Sequence, residues 1–290
     1  MQRVEGLMRK AIKDYSMIQD GDKIAVALSG GKDSISLLYA LKRLQRYSKD
    51  HFELMAITIN PGFEEFDERV LNNIADKIGV ELVIVPTEIK QIVFDERQEK
   101  NPCSLCANLR RGILNTTAIE NRCNKIALGH NEDDVIETFL MNLLYAGNLS
   151  TFSPVSYMDR SKMTLIRPLI YVPERQTKSL IKQEGFETMP KVCPMDGTSS
   201  REYALNLLKG IERNYKHSRA NIMGAIKRAG INGWKEIKGW AILDNRRVFN
   251  YIRLMVKTEA LENSNIYKEI TIYNAKIIYY IYKLWYNMKI

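Results

Sequence analysis

Short apolar segments rich in β-branched residues alternate along the chain with longer segments whose apolar residues recur at helical spacing. The short segments have the length of buried strands, and the longer ones have the period of amphipathic helices. The predicted strands cover 23–28, 54–60, 81–85, 125–129 and 165–169. The predicted helices cover 35–44, 66–78, 104–120, 133–145, 175–184 and 201–229, and 1–20 has the pattern of a surface helix.

This alternation predicts an α/β fold with a doubly wound parallel sheet. Two polar segments follow predicted strands directly, SGGKDS at 29–34 and GHNEDD at 129–134. Ligands of such sheets bind beyond the carboxyl ends of the strands. We therefore expect the two polar segments to lie together at one edge of the sheet and to form a ligand site.

The composition gives the net charge of the chain and indicates its location in the cell. A formal net charge of +9 favours polyanionic partners, although a basic protein without a nucleic-acid partner fits the charge equally well. No uncharged run approaches the ~20 residues that cross a bilayer and no secretory signal is evident, so no membrane association is expected. Four cysteines are too few for a disulfide framework, which favours a reducing, cytoplasmic location.

The segment Ser29–Ser34 has the chemistry of a phosphate-binding turn, and is called the phosphate turn below. Gly30 and Gly31 carry no side chains, so backbone N–H groups can approach phosphate oxygens, and the following helix adds further N–H donors. Lys32 supplies a positive charge, and the two serines supply hydroxyls. Asp33 either caps the helix or helps to hold Mg²⁺. Walker P-loop spacing is absent, which argues against a kinase-like site; an ordinary capped glycine turn is the alternative.

The second polar segment places Gly129, His130 and two aspartates just before an amphipathic helix. Asp133 and Asp134 either cap this helix or bind Mg²⁺, and the nearby phosphate turn favours contact with a nucleotide and its metal. His130 either positions a substrate or satisfies a turn. Asn60, which ends the second predicted strand, is a further candidate for nucleotide binding.

Three of the four cysteines are candidate metal ligands. Cys103 and Cys106 form a C-x-x-C pair at the start of a predicted helix, a place that suits thiolate chemistry. Cys193 is a candidate third ligand, whereas Cys123 has the context of a buried apolar residue. The pair alone leaves structural zinc, disulfide chemistry and chance open, and none of the three histidines has zinc-finger spacing with the cysteines.

Taken together, the motifs resemble a known family. SGGKDS resembles the SGGxDS motif of the PP-loop ATP pyrophosphatases, an adenine nucleotide alpha hydrolase-like superfamily. The segment C-S-L-C-x-x-L-R-R-G-I-L from Cys103 to Leu114, then GHN-x-DD, then Arg167-Pro168-Leu169, resembles the tRNA 2-thiocytidine synthetases in content and order. Asp196 stands where many relatives carry a further cysteine, and the segment after Gly239 matches nothing in that family.

The resemblance implies an activity. ATP would be cleaved between its α- and β-phosphates, and AMP would be transferred to the C2 oxygen of a cytidine in the tRNA anticodon loop, after which sulfur replaces that oxygen. The residues implied as catalytic are Lys32, Asp33, Asp133 and Asp134. Those implied to bind ATP and Mg²⁺ are Ser29, Gly30, Gly31, Lys32, Asp33, Ser34, Asn60, Gly129 and Asp134.

The resemblance also implies a cluster and partners. Cys103, Cys106 and Cys193 would hold a [4Fe–4S] cluster, which leaves one of four irons without a protein thiolate and able to hold an exogenous sulfide. A cysteine desulfurase would supply the sulfur. A homodimer is expected only by analogy.

Four regions follow from the motifs and the composition. They are an N-terminal helix at 1–20, a PP-loop ATP pyrophosphatase domain at 21–200 with an inserted C-x-x-C helix, a basic helical segment at 201–239 and a tail at 240–290. The basic segment forms a helical C-terminal extension. The tail is rich in Ile, Tyr and Lys, and its role is unknown.

Basic residues in two places are candidate tRNA contacts, since basic side chains neutralise backbone phosphates. They are Arg110 and Arg111 after the C-x-x-C pair, and Lys209, Arg213 and Lys216 in the basic helical segment. Solvated helix faces and ion pairs are the alternative for each of them.

Three rival functions stay open at this level. A tRNA 2-thiouridine synthetase differs only in the target base. A lysidine-synthetase-like ligase keeps the adenylation but uses a non-sulfur nucleophile, and would not need the three cysteines. A non-enzymatic RNA-binding protein with a metal or cluster would release no pyrophosphate from ATP.

Overall fold

The computed structural model describes residues 1–97, 102–190, 193–195 and 200–235. These residues belong to one compact unit that runs from Met1 to Glu236. The tail at 240–290 and the position of Asp196 lie outside the described residues.

A six-stranded sheet forms the centre of this unit. Its strands are β1 (Asp22–Ala27), β2 (Phe52–Asn60), β3 (Glu81–Pro86), β4 (Lys125–Ala127), β5 (Val155–Met158) and β6 (Met163–Ile166). They lie in the order β3-β2-β1-β4-β6-β5, and every neighbouring pair is parallel except β5 and β6. The predicted α/β fold with a parallel sheet is confirmed.

Eight α-helices are described. They are α1 (Gln2–Asp14), α2 (Lys32–Gln45), α3 (Glu68–Ile78), α4 (Pro102–Glu120), α5 (Glu132–Tyr145), α6 (Glu174–Glu184), α7 (Ser200–Asn214) and α8 (Ser218–Arg228). A π-helical turn covers Gln91–Glu96, and a 3₁₀ turn covers Ile231–Gly233. Among the described helices, none is long and apolar enough to cross a membrane.

Several elements differ from the prediction. The fifth predicted strand, 165–169, lies earlier in the sequence, as β6 at Met163–Ile166. The edge strand β5 is only four residues long and only partly buried, so it lacks a clear apolar alternation. The predicted helix at 201–229 is broken at 215–217, and both of its halves, α7 and α8, pack against α5. The predicted surface helix at 1–20 ends at Asp14 and buries Val4, Met8 and Ala11 against the main core.

Helices cover both faces of the sheet. Successive side chains of a strand point to opposite faces. Ile24 and Val26 therefore join the larger core, which includes residues of α1, α2, α5 and α6, while Ala25 joins the smaller core beneath α4. Among the described helices, only α4, which carries the C-x-x-C pair, and the π-helical turn pack on that face of the sheet.

The order in which the chain adds strands to the sheet reverses between β1 and β4. From β1 the chain continues to β2 and β3 on one side, and β4 and β6 lie on the other. Such a reversal opens a crevice at the carboxyl ends of the two central strands. The phosphate turn follows β1 and Gly129 follows β4, so both border this crevice.

Candidate nucleotide and thiol site

The phosphate turn requires glycine at its second position. Gly30 has φ +75°, and a Cβ there would lie 2.1 Å from Cγ of Met189. The backbone N–H of Met189 donates a hydrogen bond to the carbonyl of Gly30 at 2.9 Å. A left-handed backbone in such close contact suits only a residue without a side chain.

Ser34 closes the turn. Its Oγ accepts from the backbone N–H of Ser29 at 3.2 Å and donates to the carbonyl of Gly31 at 2.9 Å. Gly31 is the N-cap of α2, and no side-chain cap bond occupies the first N–H groups of that described helix. The turn therefore presents the donors and the positive end of a helix dipole that a phosphate needs.

Lys32 is held at the mouth of the turn by two carboxylates. Its Nζ lies 2.7 Å from Asp33 and 2.9 Å from Glu174 of α6. Asp33 also accepts a hydrogen bond from the Thr177 hydroxyl at 2.6 Å. Burial alone would lower the pKa of Lys32, but the bonds to Asp33 and Glu174 outweigh it and raise that pKa above its usual value. Lys32 is therefore a fixed cation beside the turn.

The two polar segments meet backbone to backbone. A Cβ on Gly129 would lie 3.0 Å from the amide nitrogen of Ser34 and 3.1 Å from the carbonyl carbon of Asp33. Only glycine fits this approach without moving α2. The structure thus brings Gly129 and the phosphate turn together at one edge of the sheet.

Both aspartates of the second segment are engaged within the protein. Asp134 forms a capping box with Asn131, whose backbone N–H donates to its carboxylate at 2.9 Å. Asp133 is buried, accepts from the backbone N–H of Glu174 at 2.7 Å and pairs with Arg219 of α8. The capping role is therefore present in the structure, and nucleotide or metal binding by these carboxylates stays a prediction.

Asn60 also makes contacts of its own. Its side-chain amide donates to Glu68 at 3.0 Å, and its side-chain oxygen accepts from the backbone N–H of Gly62 at 3.0 Å. These bonds shape the turn at the end of β2, next to β1. The side chain is only partly buried, and nucleotide binding by Asn60 stays a prediction.

Glu132 makes the unfolding free energy of the protein depend on pH. Burial, followed by the charge of Asp133, raises the pKa of Glu132 from 4.5 to about 7. Since the folded state then holds this proton more tightly than the unfolded state, the contribution of Glu132 to stability falls as pH rises between those two values.

We expect Glu132→Gln to remove this loss. Relative to the unaltered protein, the variant should gain up to about 3 kcal/mol in unfolding free energy between pH 4 and pH 8, as measured by urea titration. Glu187→Gln, at an exposed position, is the control and should track the unaltered protein. Parallel pH curves for the unaltered protein and Glu132→Gln would contradict the assignment.

Cys106 lies within electrostatic reach of the two other candidate thiols. Burial raises the pKa of the Cys106 thiol, the nearby Arg110 lowers it, and the charges of Cys193 and Cys103 raise it further. All three thiols are free: Cys103 is exposed, whereas the other two are partly buried. In the described ranges, no three side chains of His, Cys, Asp or Glu are close enough to hold a single metal ion.

The segment that leads to Cys193 is tied to the phosphate turn. Met189, four positions earlier in the sequence, donates the backbone bond to Gly30 described above. Four residues span at most about 14 Å, so Cys193 cannot lie far from the turn. Cys123, by contrast, is buried in the smaller core, with its sulfur 3.3 Å from that of Met55, and is a core residue as predicted.

The candidate RNA contacts are all exposed, and within the described part of the chain none of them forms an ion pair. They are Arg110 and Arg111 on α4, Lys209 and Arg213 on α7, and Lys216 in the turn before α8. Both alternatives, a solvated helix face and an ion pair with a residue outside the described ranges, therefore stay open, and RNA binding by these residues stays a prediction.

Sequence reasoning missed the side chains that support the site from elsewhere in the chain. Glu174 and Thr177 come from α6, Met189 from the segment after it and Arg219 from α8. No local signal marks these residues, because their contacts join distant parts of the sequence.

The fold and the phosphate turn define a PP-loop protein, and a family model described as PP-loop domain matches residues 2–189. Two curated tRNA-cytidine(32) 2-sulfurtransferases are similar to this chain. That of Dichelobacter nodosus is 40% identical over 226 residues, which are 77% of this chain and 85% of the relative. That of Syntrophotalea carbinolica is 35% identical over 227 residues, which are 77% and 88%. The chain therefore belongs to the tRNA-cytidine(32) 2-sulfurtransferase family of PP-loop proteins.

A solved structure gives an independent likeness. The U34-tRNA thiolase NcsA from Methanococcus maripaludis, with its [4Fe-4S] cluster, matches with a TM-score of 0.63 and 26% identity over 78% of each chain. The family inferred from the motifs, tRNA 2-thiocytidine synthetases with a PP-loop, is thereby confirmed.

Proposed function

We propose that this chain is an ATP-dependent tRNA sulfurtransferase that adenylates the C2 oxygen of a cytidine in the anticodon loop and replaces it with sulfur. The observation that carries the proposal is the backbone bond from Met189 to Gly30, which ties the segment of Cys193 to the phosphate turn. A nucleotide phosphate bound there would lie near the thiols. The names of the curated relatives support a cytidine as the target.

The first half of the reaction belongs to the phosphate turn. Its N–H groups and Lys32 would hold the β- and γ-phosphates of ATP and stabilise the charge that builds on them. The cytidine C2 oxygen would attack the α-phosphorus, and the bond to the β-phosphate oxygen would break. Pyrophosphate leaves, and the C2 oxygen becomes part of AMP, a good leaving group.

Magnesium fits the carboxylates at this edge. Asp33 belongs to the phosphate turn, Asp134 belongs to the segment that begins at Gly129, and both are partly exposed, whereas Asp133 is buried against Arg219. Of the predicted ligands, Asp33 and Asp134 would therefore hold Mg²⁺. Asp133 would instead tie the start of α5 to Arg219 of α8. Bound Mg²⁺ would neutralise the triphosphate.

The three cysteines Cys103, Cys106 and Cys193 are suitable ligands for an iron–sulfur cluster. Cys106 lies within electrostatic reach of Cys103 and Cys193, and the three free cysteines would supply three thiolates; Cys123, the fourth cysteine, is in the core. A [4Fe–4S] cluster so held would keep one iron open to carry the sulfur. Cys103, on the exposed first turn of α4, is the ligand nearest solvent, and a cysteine desulfurase is the sulfur source in this proposal.

The proposal is tested first on the complete reaction. Anaerobically purified protein should be brown, contain about four irons per chain and release pyrophosphate from ATP only with tRNA. Nucleoside mass spectrometry should then find sulfur on cytidine. Sulfur on uridine would support the 2-thiouridine alternative, a non-sulfur adduct the ligase, and no pyrophosphate release an RNA-binding protein. Gel filtration tests the homodimer, and cell fractionation tests the cytoplasmic location.

The RNA contacts can be tested on the basic residues of α7 and of the turn before α8. Replacing Lys209, Arg213 and Lys216 with alanine should weaken tRNA binding and reduce the slope of log affinity against log salt by up to about 3. Lys49→Ala is the control, because Lys49 is equally exposed but precedes β2 at the opposite edge of the sheet. Equal losses in both variants would contradict a contact surface on α7.

A further inference from the structure

Two phenylalanines form a ring pair just beyond the carboxyl end of β2. Phe63 follows β2 by three residues, and Phe94 belongs to the π-helical turn Gln91–Glu96. Their ring centroids lie 6.1 Å apart, with the ring planes at 63°. Both residues are partly exposed. The pair therefore presents aromatic surface at the edge where ligands of parallel α/β sheets bind, and π-helical turns themselves are rare and often lie at functional sites.

Backbone contacts fix the turn that carries Phe63. The backbone N–H of Lys90 donates to the carbonyl of Pro61 at 2.8 Å. Gly62 has φ +86°, and a Cβ there would lie 2.8 Å from the carbonyl oxygen of Thr87. The turn after β2 and the segment after β3 are thus packed backbone to backbone, which holds the ring pair in place.

The phosphate turn lies beside the end of β2. β1 and β2 are parallel neighbours, and the hydroxyl of Thr58 donates to the carbonyl of Leu28 at 2.6 Å. Ser29 therefore begins the phosphate turn next to the last residues of β2, since neighbouring strands lie about 4.8 Å apart. Phe63 follows the end of β2 by three residues, a span of at most about 11 Å. The ring pair is thus close to the phosphate turn, on its β2 side.

The ring pair also adjoins the helix of the C-x-x-C motif. α4 packs against both β2 and the π-helical turn. Phe94 and Cys106 both pack against the smaller core, and Cys106 lies near the start of α4. Phe66, three residues after Phe63, packs instead against the larger core. The turn after β2 therefore reaches both faces of the sheet, and the ring pair marks the side of α4.

We propose that Phe63 and Phe94 form the stacking platform for the cytosine ring that receives the sulfur. The inference rests on the proposed function, since this base is its substrate. Proteins that bind unpaired RNA bases stack them on aromatic side chains, and one such contact strengthens binding by about 10-fold or more. A base stacked here lies between the phosphate turn, which activates its oxygen, and α4, which brings the sulfur.

The form and place of the pair suit this base. In a tilted pair the edge of one ring meets the face of the other, so the faces of the first ring are left uncovered by its partner. The adenine of ATP also has an aromatic face, and its stacking on the same pair is the alternative. The position beside α4 favours the tRNA base, because that base must meet both the phosphate turn and the thiols.

A fluorescent base analogue tests the contact without any chemistry. The probe is a tRNA anticodon stem-loop with pyrrolocytidine in place of the loop cytidine, whose emission is quenched by stacking. We expect the unaltered protein to quench it, and Phe63→Leu to lose the quenching and to bind the stem-loop about 10-fold more weakly. Phe63→Trp keeps an aromatic ring and should retain both. Phe66→Leu, on the side of the larger core, is the matched control and should behave as the unaltered protein does.

Several results would overturn the platform. They are emission that the unaltered protein leaves unchanged, quenching that persists in Phe63→Leu, and equal losses in Phe63→Leu and Phe66→Leu. A raised KM for ATP in Phe63→Leu with unchanged quenching would assign the ring pair to adenine instead. The quenching decides where the base binds even if the unaltered protein releases no pyrophosphate, the result that refutes the proposed function.

Discussion

Replacing Cys103 with alanine is expected to abolish sulfur incorporation into tRNA while tRNA-dependent pyrophosphate release continues. Cys103 lies on the exposed first turn of α4, whereas the hydrogen bonds of the phosphate turn are made by Gly30, Ser34 and Met189. Losing a ligand should cost more than the ~100-fold that removal of a supporting contact costs. Nucleoside mass spectrometry measures the sulfur, and a single-turnover assay measures pyrophosphate.

The fourth cysteine is a matched control for this experiment. Cys123→Ala removes a thiol from the smaller core, where it contacts Met55, and should lower stability by about 1 kcal/mol without affecting iron content or sulfur transfer. If Cys103→Ala thiolates tRNA normally, the cluster assignment fails. If both variants lose iron and sulfur transfer alike, the loss reflects general damage to the protein.

Gly30→Ala is expected to lower pyrophosphate release by about 100-fold, the loss that a 1 Å misplacement of a substrate can cause. A side chain at φ +75° costs about 1–2 kcal/mol in backbone strain, and the new Cβ would also collide with Met189. Relieving that collision moves both the phosphate turn and the segment leading to Cys193. The melting temperature should therefore fall with the activity, and anaerobic iron content should fall as well.

Gly31→Ala separates the strain from the mere addition of a methyl group. Gly31 has φ −80° and ψ 154°, which any residue adopts, and a Cβ there would meet only the Ser29 hydroxyl at 3.5 Å. The melting temperature of Gly31→Ala should match that of the unaltered protein, even if the added methyl group weakens phosphate binding. A Gly30→Ala protein that keeps full stability and activity would refute the account of the turn.

Local patterns in the sequence predicted the parts of the fold that local physics determines. The apolar runs before Ser29 and before Gly129 became β1 and β4, because buried strands need continuous apolar segments. The carboxyl-edge rule for parallel sheets then placed the two polar segments together. The edge strand β5 escaped prediction, since four half-exposed residues carry too little periodicity to be distinguished from a loop.

The supporting contacts of the site could not be predicted in this way. Asp133 and its ionic partner Arg219 are 86 positions apart, and Asp33 and its hydrogen-bond donor Thr177 are 144 positions apart. Helix propensity and apolar spacing describe neighbours along the chain, and neither specifies which distant side chain will approach a carboxylate. The sequence accordingly proposed Asp133 as a cap or metal ligand, without its tie to α8.

That tie has a mechanical consequence. Since Asp133 and Arg219 are largely shielded from water, sliding α8 away from α5 would strand an unmatched charge, at a cost of several kcal/mol. We therefore expect α8 and the loop that begins α5 to move together. If tRNA binds the basic residues of α7 and of the turn before α8, as proposed, a displacement of α8 on binding would be transmitted through Arg219 to Asp133 at the proposed nucleotide site.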